Sequence, residues 1–296
     1  MSLSATALLH AVVDGILTGG VYALMAAGLT LIFGVMDIIN IAQGAMVVLG
    51  AYLSYELSTH AGIGLLPGLL LTIPAMFVLG VAIEFLFMRR LRDADRTGMS
   101  ILVTFAVAIL IEGILSAVFG VDYVQLHASY VDKSVYVFGF YLPYIYLIGF
   151  GLAVVLMAGL YYMLYRTKFG RAVRASLQNR TAADLIGINV NRTRTISVGI
   201  GVAVTAVGGM VFGATNAFNP GSGYDLISRL LAIVILGGMG SIGGAMVAAI
   251  LLLVINDVVA VAWSPTWAPL VFFAALVVVL SIRPQGLFGS SAARAQ

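Results

Sequence analysis

The chain has 296 residues, of which 61% are hydrophobic and only 9% are charged, and its mean hydropathy is +1.09. Soluble domains carry about 25% charged residues because their surface faces water, so this composition excludes an ordinary soluble enzyme or binding module. In a membrane protein, the formal net charge of +3 is typical of basic cytoplasmic loops rather than of a nucleic-acid site. The chain contains no cysteine and its three histidines are widely separated, so we expect no metal, no cofactor and no catalytic residue.

Predicted membrane helices account for most of the chain, since a helix that crosses the hydrocarbon core needs about 20 mostly apolar residues. The apolar runs predict spans at 14–36, 41–58, 64–88, 99–120, 141–165, 195–216 and 265–283. A further apolar stretch, 226–263, is either two short spans or a re-entrant hairpin, because the glycine-rich segment 237–244 interrupts it. We therefore predict an all-α, polytopic bundle of about eight spans, with residues 1–296 forming one transmembrane domain.

The glycines of segment 237–244 also satisfy a nucleotide-binding pattern. Gly238, Gly240 and Gly243 fit G-x-G-x-x-G, which binds dinucleotides when a strand precedes it, a helix follows it and an acidic residue comes about 20 positions later. The chain has no alternating strand and helix pattern around them. We therefore interpret Gly238, Gly240, Gly243 and Gly244 as residues of a broken membrane helix, which must be buried or line a cavity.

Basic residues predict the orientation of the spans. Most of them lie in three segments, which the positive-inside rule places in the cytoplasm. They are Arg89, Arg90, Arg92 and Arg96 after the third span, seven residues between 166 and 194, and Arg283 and Arg294 at the end. Lys133 and Arg229 lie in or beside loops on the opposite side, near Asp122, Asp132 and Asp225. We therefore expect the C-terminus in the cytoplasm and the N-terminus outside.

The longest cytoplasmic connection, 166–194, has the features of a docking segment. Its first half predicts a short helix at Gly170–Gln178, and Thr181 to Asp184 fits a capping box with the Thr181 hydroxyl at the N-cap. Gly187 then supplies a left-handed C-terminal stop. A basic loop that contacts anionic lipid is the alternative, but lipid contact needs no capped helix.

Polar side chains within the spans are candidates for a transport path, because a carboxylate near the bilayer centre costs roughly 2.5 kcal/mol or more and should face the bundle interior. These candidates are Asn40, Gln43, Glu112, Asn256 and Asp257. Hydrogen bonding between helices is an equally good interpretation for all of them.

Several segments in the same order along the chain carry a family resemblance. They are GVYALMAAGLTLIFG at 20–34, INIAQGAMVVLGAY at 39–52, LIGIN at 185–189, LGGMGSIGGA at 236–245 and RPQGLFG at 283–289. Together they resemble the permease subunits of branched-chain amino-acid ABC importers, in the LivH-like branch. Segment 181–187 (TAADLIG) also resembles the E-A-A-x-x-x-G coupling loop of ABC importer permeases, with Thr181 in place of the glutamate.

The resemblance implies a non-enzymatic permease in the bacterial inner membrane, embedded in lipid. Its implied partners are a second, LivM-like permease, two cytoplasmic ATP-binding subunits and a periplasmic substrate-binding protein. The residues that it implies for ATPase coupling are Arg171, Arg174, Leu177, Thr181, Ala182, Ala183, Asp184 and Gly187. Branched-chain amino acids are the cargo that the resemblance implies by default. The same branch also includes permeases for urea and short amides, so the sequence does not fix the cargo. An ion-coupled secondary transporter that uses Glu112 and Asp257 is the rival class.

Overall fold

The computed structural model describes residues 5–36, 38–90, 96–131, 133–137 and 140–289. Arg92, Asp132 and Arg294, which entered the orientation prediction, lie outside the described residues. The helices are α1 (Ala5–Met36), α2 (Gln43–Thr59), α3 (Leu65–Leu86), α4 (Arg96–Phe119), α5 (Tyr144–Arg166), α6 (Lys168–Gln178), α7 (Arg180–Leu185), α8 (Val190–Thr215), α9 (Gly223–Gly237), α10 (Ile242–Ala262) and α11 (Ala268–Ile282). The predicted all-α bundle is therefore confirmed.

One small element was not predicted. Strands β1 (Ser134–Val137) and β2 (Phe140–Pro143) form an antiparallel hairpin in which Ser134 pairs with Pro143. Because β2 ends at Pro143, α5 begins at Tyr144, three residues after the predicted start of the fifth span.

Six helices of the described chain, α1, α3, α4, α5, α8 and α10, are long and apolar enough to cross a membrane. Three others are shorter, at 17 residues for α2 and 15 each for α9 and α11. A helix of 15 residues is about 22 Å long, against a hydrocarbon core of about 30 Å. The figure of about eight spans therefore stays a prediction.

The core lies around α1 and α8. About four fifths of the most apolar window of each is buried within the bundle, 78% in α1 and 83% in α8, whereas the same value is 33% or less for α3, α4, α5 and α10. Glycine permits the close contact between the two central helices, since a Cβ at Gly28 would overlap the Gly201 carbonyl oxygen. Without a hydrophobic driving force between helices in lipid, such close backbone packing is a main source of association.

The helix break predicted at 237–244 is present. Gly238 and Gly240 have φ angles of +96° and +86°, a region that side-chain-bearing residues rarely adopt, and they turn α9 back into α10 as a helical hairpin. The Ser241 hydroxyl caps α10 by accepting from the Gly244 N–H at 3.1 Å. A Cβ at Gly244 would overlap the Gly237 carbonyl oxygen, so this glycine permits close packing of the hairpin.

Candidate coupling helices and intramembrane polar sites

Helix α6 is amphipathic and packs one face on the bundle. Its N-cap is Thr167, whose hydroxyl accepts from the Gly170 N–H at 3.1 Å, so the helix begins two residues before the predicted Gly170. Gly170, Val173 and Ser176 are buried, whereas Arg171 and Leu177 are exposed. Two of the predicted coupling residues, Arg171 and Leu177, are therefore exposed on α6.

Helix α7 follows α6 directly, and its cap differs from the prediction. Asn179, not Thr181, is the N-cap, because its Oδ1 accepts from the Ala182 N–H at 2.9 Å while its backbone is extended. The predicted capping box at Thr181 is therefore wrong by two residues. Asparagine is at least as good an N-cap as threonine, and the earlier start gives α7 an additional half turn. Asp184 accepts instead from the Val190 N–H of α8 at 3.4 Å, while Asn189 is the N-cap of that helix.

The end of α7 agrees with the prediction. Gly187 has a φ angle of +85°, and its N–H donates to the Asp184 carbonyl at 3.0 Å. The left-handed residue stops the helix and releases the chain towards α8. Among the other predicted coupling residues, Thr181 and Ala182 are exposed and Ala183 is buried.

Two arginines attach α6 and α7 to the ends of membrane helices. Arg174 donates a hydrogen bond to the Leu164 carbonyl oxygen of α5 and stacks over the Tyr165 ring, 5.3 Å from its centroid. Arg180 donates to the Met36 carbonyl oxygen at the end of α1, at 2.8 Å. A cation at a helix C-terminus satisfies unpaired carbonyls and the negative end of the dipole. Arg174, predicted as an ATPase contact, is therefore held against α5.

Sequence reasoning missed the most exposed apolar residues of this segment. Leu185 and Ile186, just before Gly187, are 83% and 74% exposed. Two adjacent apolar side chains at the tip of a basic loop were a signal in the sequence. Such a patch on an exposed segment is typical of an interaction site.

Asn40 and Gln43 are fully buried between α1, α2 and α8. Asn40 Nδ2 donates to Gln43 Oε1 at 3.1 Å, and Gln43 Nε2 donates to the Gly201 carbonyl at 3.1 Å. Thr104 of α4 satisfies the non-helical backbone beside them, since its hydroxyl contacts the Ile39 carbonyl and the Ile41 N–H, each at 3.2 Å. These bonds hold the non-helical break between α1 and α2, where Asn40 Oδ1 is the one side-chain oxygen of the pair that stays buried without a donor. That Asn40 and Gln43 line a path stays a prediction.

Glu112 lies beside an exposed polar face on α9. Glu112 and Tyr224, which lies close to the start of α9, line the same small pocket. Next to Tyr224, Asp225 accepts from Arg229 Nε at 3.1 Å, and the Asp225 side chain is 70% exposed. Ser228 is exposed on the same helix. Tyr224, Asp225 and Ser228 form the α9 polar face. The sequence pattern pointed to Glu112 but not to these three residues.

Asn256 and Asp257 lie in the wall of a cavity of about 690 Å³. Asn256 Nδ2 donates to Asp257 Oδ1 at 3.0 Å. The same wall includes Asp14 from α1, a carboxylate that sequence reasoning missed, and Arg229 from α9. The predicted path residues are therefore in three places: the buried break, the α9 polar face with Glu112, and this cavity.

These features define a multi-pass helical membrane protein that has broken helices, polar groups within the bundle and a capped helix pair at one end. No group of three or more metal-binding side chains is found in the described parts of the chain.

The comparisons with known proteins identify the family. The profile of the branched-chain amino acid transport system / permease component family matches residues 11–280, so the chain belongs to this family. The high-affinity branched-chain amino acid transport system permease protein BraD of Pseudomonas aeruginosa is 29% identical over 297 residues, with 95% of each chain covered. The corresponding LivH protein of Escherichia coli K12 is also 29% identical, with 93% of this chain and 94% of LivH covered.

A more distant relative is a probable branched-chain amino acid transport permease protein LivH from Methanocaldococcus jannaschii, which is 28% identical over 241 residues. It covers 78% of this chain and 75% of its own length. No solved structure gives a significant match. The LivH-like resemblance is therefore confirmed, and the family is one of transport permeases rather than of enzymes.

Proposed function

We propose that this chain is one membrane-spanning subunit of an ATP-driven importer for branched-chain or related amino acids. Its ATPase activity resides in two cytoplasmic partner subunits, and a periplasmic protein delivers the cargo. The location is the inner membrane, with α6, α7 and the C-terminus in the cytoplasm and the N-terminus outside. BraD and the Escherichia coli LivH protein, which match this chain over nearly their whole length and are named as branched-chain amino acid permeases, support this cargo class.

The observation that carries the proposal is the exposed tip of α7. Leu185 and Ile186 are exposed apolar side chains at the C-terminal end of the capped helix α7, within the basic loop. Apolar side chains that fill a pocket are typical anchors of protein interfaces. In this proposal they insert into a groove of an ATP-binding subunit.

The attachments of α6 and α7 supply a route for the motion. Arg174 joins α6 to the end of α5, and Arg180 joins α7 to the end of α1. When ATP draws the two ATP-binding subunits together, segment 170–187 moves with them and pulls α1 and α5. The bundle then changes from inward-facing to outward-facing, because ATP-bound partners favour that state.

The α9 polar face supports a second permease subunit. Exposed Asp225 and the partly exposed Glu112 are costly against lipid, so this side of the bundle faces protein or a water-filled path. We propose that it lines the path together with a LivM-like partner. Residues 1–296 act as one permease domain in this arrangement.

Two alternatives to this function can be distinguished from it by experiment. In one, the cargo is urea or a short amide, which leaves the ATP-dependent mechanism unchanged. In the other, the chain is an ion-coupled secondary transporter, for which Asp257 and Asp14 in the cavity wall are the favouring observation.

Reconstitution in proteoliposomes tests the proposal. The chain is incorporated with the second permease and the ATP-binding subunits, and uptake of radiolabelled L-leucine is measured with the cargo-loaded binding protein outside. We expect uptake that requires ATP on the side of the membrane where the ATP-binding subunits lie, which is the inside of the proteoliposome. This uptake should stop when the ATP-binding subunits are omitted. Uptake by the permease alone under a proton or sodium gradient would instead identify a secondary transporter.

A further inference from the structure

The cavity of about 690 Å³ lies at the end of the bundle opposite α6 and α7. Its wall is formed by the N-terminal half of α1, the first turn of α5, the last turn of α8 and the last turns of α10, together with Arg229 of α9. Sites for small molecules are typically cavities of about 300–1,000 Å³ with apolar walls and a few polar groups. This cavity has that size and that mixture.

Two carboxylates lie in the wall, whose other polar side chains include His10, Thr18, Tyr22 and Tyr146. Asp14 and Asp257 come from two different helices and lie within electrostatic range of each other. Among the described residues, neither carboxylate forms an ion pair with a lysine or an arginine. Arg229, the arginine in the same wall, donates its hydrogen bond to Asp225 at 3.1 Å rather than to either of these carboxylates.

Two acceptor oxygens in this wall are buried without a hydrogen-bond donor, Oδ1 of Asp14 and Oδ1 of Asn256. An unsatisfied buried acceptor costs about 1–3 kcal/mol, more when it is charged. Buried polar groups in native proteins are therefore nearly always satisfied by protein, water or a ligand. Both oxygens are closed to solvent in this structure, so a ligand that brings several N–H donors and a positive charge would bond these two side chains by turning their oxygens into the cavity, and it would neutralise one carboxylate.

We infer that this cavity binds the protonated primary amine of the transported solute, with Asp14, Asn256 and Asp257 as its acceptors. The inference rests on the proposed importer function and deepens it, because it selects amino acids over urea and neutral amides. A neutral amide offers N–H donors but adds no positive charge opposite the two carboxylates. The apolar part of the solute lies against Val21, Met25 and Leu253 of the same wall.

Because the chain has no cysteine, a single introduced thiol reports on the cavity. Ala260 lies in the wall, so Ala260→Cys places the thiol there. The assembled permease in proteoliposomes is treated with a cationic or an anionic methanethiosulfonate reagent. Intact mass spectrometry then measures the labelling rate of this chain. We expect the cationic reagent to react about tenfold faster, since a cleft of one charge concentrates counter-ions. The ratio should approach unity when Asp14→Asn and Asp257→Asn are added. Val261→Cys in the same wall is the second position if Ala260→Cys does not assemble.

Protection by solute supplies the second readout. Millimolar L-leucine should slow labelling of Ala260→Cys, whereas 4-methylpentanoate and 4-methylpentanamide, which lack the amine, should not. Thr59→Cys, which lies at the same end of the bundle but outside the cavity, is the control and should show no protection. Equal rates with the two reagents, no labelling at all, or equal protection by the amide each overturn the inference.

Uptake separates this inference from the proposed function. Asp14→Asn and Asp257→Asn should each lower leucine uptake about tenfold or more, as loss of a charged hydrogen bond does, while ATPase activity is retained. Glu56→Gln neutralises a carboxylate outside the cavity and should transport normally. If the unmodified complex shows no ATP-driven uptake, the importer proposal fails; if it transports and both Asn variants transport equally well, only the amine site fails.

Discussion

The α7 tip and the α9 polar face each expose side chains that do not suit the surroundings we propose for them. At the α7 tip, apolar Leu185 and Ile186 project from a basic loop. On α9, charged Asp225 is exposed in the first turn of the helix. In both places the mismatch is removed if another protein or a water-filled path covers the surface. Exposed side chains of the wrong polarity therefore indicate interfaces more directly than composition does.

The largest expected effect comes from placing a charged side chain on a face of the bundle that we expect to contact lipid. Val78 is 64% exposed on α3, near mid-span and without polar neighbours in the adjacent apolar groove. Val78→Asp should lower the amount of inserted protein, because a carboxylate at mid-span costs about 2.5–3.5 kcal/mol against lipid. Membrane fractionation and quantitative blotting measure the effect.

Asp225→Leu is the reciprocal change. If the α9 polar face were covered by lipid, this variant would accumulate to a higher level and transport normally. We expect an unchanged amount of protein and reduced ATP-dependent uptake instead.

The second test removes the apolar tip. Leu185→Ser combined with Ile186→Ser should weaken binding of the ATP-binding subunits about 30-fold, the effect of losing about 2 kcal/mol from an interface anchor. Co-purification and uptake measure the change, and thermal unfolding should stay unchanged because both side chains are exposed. Gln178→Ser, an exposed position on the neighbouring helix, is the control. Normal co-purification of the double variant would contradict the coupling role of α7.

The third test concerns the contact between α6 and the bundle. A Cβ at Gly170 would overlap the Leu164 carbonyl oxygen, so Gly170→Ala should shift α6 away from α5 at a cost of about 1–3 kcal/mol. We expect a lower unfolding temperature in detergent and weaker stimulation of ATPase activity. Gly151→Ala on α5 meets no atom within 4 Å and should be neutral or slightly stabilising.

The smallest effect distinguishes the two possible caps of α7. Asn179→Ala should destabilise the helix by about 1 kcal/mol, because it leaves the Ala182 N–H without its acceptor. Thr181→Ala should change little, since Thr181 lies inside the helix and is exposed. Hydrogen exchange of the α7 amides measures both, and faster exchange in Thr181→Ala alone would restore the predicted cap.

Local patterns in the sequence were sufficient for the membrane helices and their breaks. Apolar runs gave the positions of most helices. Apolar side chains are unfavourable in water and polar ones are unfavourable in lipid, and both costs can be read from the residue types of a segment. Gly238, Gly240 and Gly187 were identified as turn positions, since a positive φ angle favours glycine wherever it occurs.

The polar sites required the tertiary structure. Asn40 and Glu112 look alike in sequence, as single polar residues in apolar surroundings. The structure buries Asn40 in a hydrogen-bonded break and places Glu112 beside the α9 polar face. Likewise, Asp14 and Asp257 are 243 positions apart and share a cavity only because α1 packs against α10.

The sequence by itself therefore determined that the chain is a bundle of membrane helices, where these helices break and which loop is basic. Only the tertiary structure decided which polar groups are paired, which face a cavity and which arginines bind helix ends. The physical reason is that solvent preference is a property of each residue, whereas burial and pairing depend on which distant helices become neighbours.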